Sequence, residues 1–180
     1  IFPVGKDKAQ IIDDFDKIDL LINKLNDLES SEYAEKEPIY RTTFVPNDSY
    51  HWGNNKWYHT LVNSEQAWDI SLGNENIKIA VVDNAVGTSH LDLNVFKQRD
   101  VADNDDDANP PLTYSQNSSW SHGTHCAGLA TASINNALGI ASLGGNVELI
   151  GVKETPNGES PNSLFYTYTG VQWACAYGAN

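Results

Sequence analysis

The sequence has no methionine and only two cysteines, Cys126 and Cys175. Each cysteine sits among small residues of helical character, where a free thiol behaves as a small apolar group. Two such residues make no disulfide framework, and cysteine usage leaves the redox compartment open. Basic residues are scarce: 11 Lys and Arg stand against 24 Asp and Glu, for a net charge of −13. A chain so acidic repels phosphate backbones, and nucleic acid is not an expected partner. No run approaches about 18 consecutive apolar residues, and no membrane-spanning helix is expected. Nor does the N-terminus read as a signal peptide. The chain starts at Ile1 and reads as a processed or excerpted piece.

What remains suffices for one domain and a short appendage: 180 residues, 40% hydrophobic, with five tryptophans to build a core. The acid gathers in two places, 13–37 and 100–107. The first cluster reads as the solvated face of a helix over about 11–30. Ile11, Phe15, Ile18, Ile22 and Leu25 form its apolar stripe, widened by Leu21 and Leu28. Residues 32–35 read as a short strand.

Further on, 64–69 reads as a short helix with Ser64 as N-cap. The β-branched run 77–82 predicts a buried strand ending in Asp83. The carboxyl end of a central parallel strand is where open α/β sheets place their sites. Residues 94–121 read as a long loop. Residues 123–134, rich in Ala and Gly, predict a closely packed helix. A second strand is expected at 147–153, and a helix at about 164–177 with Gly170 as its weak point. Strand, helix, strand, helix implies an α/β fold, a parallel sheet flanked by helices with right-handed crossovers.

Three groups of residues carry chemistry. His122, at the mouth of the small-residue helix, suits general-base work because imidazole titrates near neutral pH. Asp83 could hold that imidazole in one tautomer. Equally, the two could be unrelated polar residues at element ends. His125 follows His122 by three residues, but no third His, Cys or Glu is placed to complete a zinc site, and His125 reads as a satisfied structural histidine. The third group is Asp100-Val101-Ala102-Asp103-Asn104-Asp105-Asp106-Asp107. Five aspartates in eight residues repel one another unless a cation or full solvation relieves them. The alternation suits an oxygen-ligated calcium loop, without the glycine and distant glutamate of an EF-hand.

Val81-Val82-Asp83, Ser89-His90-Leu91-Asp92-Leu93 and the ungapped block Ser121-His122-Gly123-Thr124-His125-Cys126-Ala127-Gly128 resemble the subtilisin-like serine peptidases, the subtilases. Asn135-Asn136-Ala137-Leu138-Gly139-Ile140-Ala141, Val152-Lys153 and Gly170-Val171-Gln172-Trp173-Ala174 continue the resemblance, which covers roughly 44–180. It implies a subtilisin-like fold and a serine endopeptidase whose triad runs Asp, His, Ser along the chain. Asp83 would orient His122, and His122 would serve as base and then acid. Two departures stand out. Asp83 is followed by Asn84-Ala85 where the family has a small hydroxyl residue and glycine, and His90 by Leu91 where proline is usual.

The family's Gly-Thr-Ser-x-Ala nucleophile segment does not occur; Gly87-Thr88-Ser89 is followed by His90 and does not qualify. The fold is therefore expected to be truncated before the catalytic serine, and these 180 residues alone to be inert. The alternative is a non-catalytic pseudo-peptidase or inhibitory relative of the same fold.

The resemblance also implies structural calcium. Asp100, Asp105 and Asp107 are the ligands it suggests in the acidic loop. Asp92, Asn136 and the carbonyls of Ile134, Leu138 and Ile140 are those of a second site, where Asn135-Asn136 interrupts the helix. Residues 154–163 with Phe165 and Tyr166 would border the groove for polypeptide substrates. Residues 1–43 would be the C-terminal part of a propeptide, itself a partner, and 44–180 the N-terminal part of the peptidase domain. Maturation would then cut within about 38–50, and the parent would be secreted or cell-surface.

Overall fold

The computed structural model describes residues 8–36, 44–112 and 119–180, with side chains described from residue 17 onward. Residues 38–43 of the expected maturation stretch, and 113–118 of the long acidic segment, lie outside the described residues. The chain divides into two compact units, Ile1–Thr42 and Thr43–Asn180.

In the first unit, α1 (Lys8–Asn26) forms over the apolar stripe and starts and ends earlier than its pattern suggests. Ile18, Leu21, Leu25 and Leu28 are exposed. No strand forms at 32–35. A strand needs a neighbour for its backbone groups. Here the Asn26 side chain supplies one: its Nδ2 donates to the Ala34 carbonyl at 2.9 Å and its Oδ1 accepts from the Ala34 N–H at 2.5 Å. Lys36 pairs with Asp19 on the surface.

The second unit opens with α2 (Trp57–Val62) and α3 (Ser64–Trp68). Ser64 is not the N-cap of α3. Asn63, in the left-handed conformation, holds that position, and the buried Ser64 hydroxyl meets His59 Nδ1 at 3.0 Å instead. Three parallel strands follow: β1 (Lys78–Asp83), β2 (Val95–Asp100) and β3 (Glu148–Lys153), in the order β1-β3-β2. The sheet bears out the α/β reading, and helices pack on both its faces. β2 corrects the reading of 94–121 as a loop. Val95-Phe96-Lys97-Gln98-Arg99-Asp100 has no apolar run, because it lies at the side of the sheet and β3 takes the fully covered central place.

β3 is apolar for that reason. Leu149 faces Val86 and Ala127 of α4 (His122–Thr131). Ile150 and Val152 face Ala174 of α5 (Thr167–Ala176) on the opposite side. Each of these three β3 side chains is fully buried. Burial of each is worth about 1.5–3 kcal/mol. Gly170 is no weak point of α5: a Cβ there would come within 2.6 Å of Val82 Cγ1, so its absence lets the helix lie close on the sheet. α4 ends at Thr131, earlier than the expected 134, because Ala132 leaves the helix with ψ of 142° and the chain enters the 133–140 loop.

Candidate active site

β1 delivers Asp83 to the carboxyl edge of the sheet, and α4 starts with His122 directly over it. The approach is set by Gly123. A Cβ at that position would lie 2.2 Å from the Ala85 carbonyl oxygen and 2.6 Å from Asp83 Cβ. Only glycine lets the helix start so close to the strand end. His122 Nδ1 then lies 3.0 and 2.9 Å from the two Asp83 carboxylate oxygens. The aspartate is mostly covered (13% exposed) and the imidazole open (66%), which matches an orienting group beneath a reacting one. A carboxylate at Nδ1 selects the tautomer with the proton there and leaves the Nε2 lone pair available.

Cys126 Sγ sits 3.9 Å from both ring nitrogens. Asp83, His122 and Cys126 are the one group of three metal-ligating side chains that converge among the described residues. The thiol is no rival nucleophile. Burial, and then the negative charge of Asp83, push it above the ordinary thiol range, and the thiol form is a poor nucleophile. His125 lies on the same helix but is exposed rather than satisfied in the interior, and it stands outside the converging group.

Two clefts flank His122. One, of 340 Å³, is walled by Asn84, Ser119, Pro161, Asn162 and Leu164. The other, of 670 Å³, includes Tyr50, His90, Thr124 and His125. Phe165 and Tyr166 are half-exposed, but Leu164 is the side chain of that run that reaches the first cleft.

Two cations of the chain itself, Lys153 and Arg99, offset part of the charge of the acidic loop. Parallel register places Asp100 opposite Lys153. The Lys153 ammonium, fully buried, pairs with Asp100 and also meets Asp103 Oδ2 at 3.1 Å. The other Asp100 oxygen accepts from the Ala102 and Asp103 N–H groups. Arg99 binds Asp106 at 2.8 Å, and Asn104. Asp105 and Asp107 accept hydrogen bonds from the Asp107 N–H and from Asn109 respectively. The three carboxylates of the expected cation set, Asp100, Asp105 and Asp107, are not brought together. With Asp100 already charge-paired, this donor set does not fit calcium. Asp103 and Lys153, which the sequence pattern did not single out, have a structural task instead. Asp103 Oδ2 accepts from Asn157 N–H at 2.8 Å and so ties down the turn that follows β3.

The second expected set is assembled differently. Asp92 is buried and has no cationic partner among the described residues. Its oxygens accept from Asn136 Nδ2 at 2.8 Å and from the Ile140 N–H at 3.1 Å. The loop from Ile134 to Ile140 wraps it through left-handed conformations at Asn135, Ala137 and Gly139. Ala at positive φ costs of order 1 kcal/mol. Asp48 is a further acid that the sequence pattern did not single out. It is fully buried, its Oδ2 accepts from Asn135 N–H at 2.7 Å, and its Oδ1 has no partner. The expected set suits a hard divalent cation through Asp92, a buried carboxylate with no cationic partner among the described residues.

Glu154, next to Lys153 on β3, is also fully buried with both carboxyl oxygens unpartnered. Burial pushes it up. The Thr167 hydroxyl nearby opposes that shift, and the charge of Asp83 adds to it.

The sequence finds its counterparts among known proteins. The model of the Subtilase family matches residues 74–180. The chain is 34% identical over 138 residues to a thermophilic serine proteinase of Bacillus sp. strain AK1, covering 76% of this chain and 32% of that protein. It is 32% identical to halolysin of Haloferax mediterranei, over 88% of this chain and 30% of that one. Against thermitase of Thermoactinomyces vulgaris the identity is 34%, over 76% of this chain and 44% of the relative. The chain thus spans well under half the length of these relatives. The family match covers more than half of the chain, and the chain belongs to the Subtilase family.

Proposed function

We propose that the chain carries the Asp–His part of a serine endopeptidase acting on polypeptides. The observation that carries this is the Asp83 carboxylate at 2.9 Å from His122 Nδ1, beneath an exposed ring. In the reaction, His122 Nε2 takes the proton of a serine hydroxyl as that oxygen attacks the substrate carbonyl. It then gives the proton to the departing amine. Asp83 keeps the ring in place and stabilises the imidazolium that forms. The chain contains no Gly-Thr-Ser-x-Ala segment, so by this reading it holds the base without its nucleophile. Triad members act as a unit, and loss of the serine removes nearly all of their joint effect in the subtilisin knockouts that define this behaviour.

Two measurements test this. A fluorophosphonate probe should leave the 180-residue chain unlabelled, and covalent labelling of any serine in it overturns the reading. In the coding sequence beyond Asn180, a Gly-Thr-Ser-x-Ala segment supports the enzyme. Its replacement favours a pseudo-peptidase, a reading that the Asn84-Ala85 departure keeps in play.

Calcium belongs to the same proposal, at one site only. Asp92 would hold it through its carboxylate, and Asn136 through its amide oxygen after a flip of the amide. The carbonyls of Ile134, Leu138 and Ile140 complete the set. The ion would supply the positive charge that the buried, hydrogen-bonded Asp92 carboxylate lacks. Titration calorimetry of the chain with calcium should give heat and a rise in Tm, both lost in Asp92→Asn. Absence of both heat and Tm shift in the parent chain rules the site out.

By the same reading the unit Ile1–Thr42 is the end of a propeptide and the parent is exported, as the name of one relative, the halolysin-like extracellular serine protease Nep of Natrialba magadii, says of that protein. N-terminal sequencing of mature material should begin within about 38–50 if the family's processing applies. A mature start at Ile1 contradicts it.

A further inference from the structure

We propose that Asn84 is a positioning residue that ties together the two walls of the cleft beside His122. This rests on the reading of Asp83 and His122 as the orienting acid and the base. Asn84 follows Asp83 directly and is 2% exposed. Its side-chain amide donates both hydrogens, one to the Ser119 carbonyl and one to the Pro161 carbonyl, each at 2.8 Å. Its Oδ1 accepts from the Ala85 N–H at 2.6 Å. Its own backbone N–H donates to Asp83 Oδ1 at 2.7 Å. Ser119 opens the short turn Ser119–Ser121 that leads straight into His122. Pro161 belongs to the turn on the opposite side. One planar amide therefore joins three segments at the edge of the reacting pair.

Geometry makes the asparagine specific. A serine or threonine hydroxyl has a single hydrogen to donate and cannot hold both carbonyls. Aspartate keeps the shape and the acceptor but has no donor, and it would set a second charge against Asp83. Both carbonyls would then lose their partners at once. The cleft of 340 Å³ has Asn84 in its lining, so its width follows the reach of this side chain. Replacement of the family's small hydroxyl residue by Asn84 is thus a means of fixing the cleft walls.

The test uses the whole chain, amide hydrogen exchange, and the proton resonance of His122 Nδ1–H. In Asn84→Asp, exchange at 119–123 and 162–165 should rise together by about tenfold or more, the size expected when a hydrogen bond worth about 1.5 kcal/mol is lost at each wall. Exchange in β3 and α5 should stay as in the parent. Asn84→Ser should restrain one wall and release the other. The His122 resonance should broaden in both variants. Unchanged exchange at the two walls, or release confined to one of them in Asn84→Asp, overturns the proposal. Should Asn84→Asp fail to fold, Asn84→Ser decides alone, and equal restraint of both walls in it counts against the claim. Asp83→Asn separates this from the reading beneath it. If that variant leaves the Nδ1–H resonance in place, the acid–base pair itself is wrong; if it abolishes the resonance while Asn84 variants leave the walls untouched, only the role of Asn84 is.

Discussion

At the scale of single residues, the site depends on what is missing from Gly123 as much as on what His122 offers. Gly123→Ala places a methyl group 2.2 Å from the Ala85 oxygen, so the start of α4 must lift. We expect a loss of about 1–3 kcal/mol in denaturant unfolding, together with loss of the downfield His122 Nδ1–H resonance. A variant with parent stability and an intact resonance would refute that account. His59 gives a second prediction. Burial first, and then neighbouring His51, lower its pKa from 6.5 to about 4, with Glu65 and the Ala141 backbone opposing and Lys56 adding to the shift. The folded state thus favours the neutral ring, while the unfolded chain binds a proton below about 6.5. Stability is fully present above that value and falls as pH drops toward about 4, by up to about 3 kcal/mol. His59→Phe should flatten the decline in this window, and an unchanged slope would show that another group titrates. Glu154 has the opposite sign. Its carboxyl is raised in the fold, so its contribution is present at low pH and is lost as pH rises through the folded value. Glu154→Gln should raise Tm at neutral pH and make no difference near pH 4; equal Tm at neutral pH argues against a buried, proton-holding Glu154.

At the scale of elements, the pairing of β2 with β3 decides what the acidic loop is for. Asp100 and Lys153 are 53 residues apart, and the parallel register sets them opposite each other. Read as a string, five aspartates in eight residues ask for an external cation. Read through the sheet, Asp100 and Asp103 receive an internal one, Lys153. β2 itself was illegible because its residues are mostly polar, whereas β1 and β3 declare themselves through runs of Val and Ile. The site was legible in proportion. Asp83 ends an apolar strand and His122 opens a helix of small residues, and both positions can be read along the chain. Asp103, Asp48 and the double bond of Asn84 could not, since each depends on partners at least 35 residues away. Lys153→Met tests the element: it leaves the buried Asp100 carboxylate without its cation. Removal of one partner from such a pair costs about 3–5 kcal/mol. Loss of less than about 1 kcal/mol in chemical denaturation would place the pair among surface bridges of little worth.

At the scale of the whole molecule, a net charge of −13 on 180 residues is a standing repulsion that ions relieve. Salt should therefore raise Tm, most steeply at low ionic strength where the screening length is long, and flatten toward about 0.1 M and beyond. A Tm independent of salt would mean that the internal pairs, Lys153 with Asp100 and Arg99 with Asp106, already cancel the charge that matters.

The sequence alone determined the α/β class and the two strongest strands, and its resemblance to the subtilases singled out Asp83 and His122. The class and the strands rest on local periodicity, and the resemblance on short runs of residue types; both are written along one dimension. Only the tertiary structure decided which carboxylates pair with Lys153 and Arg99, which lie buried with no cation beside them, and which carbonyls the Asn84 amide reaches. Those outcomes depend on strand register and on the depth at which each charge is buried, and neither quantity exists until separate segments pack against one another.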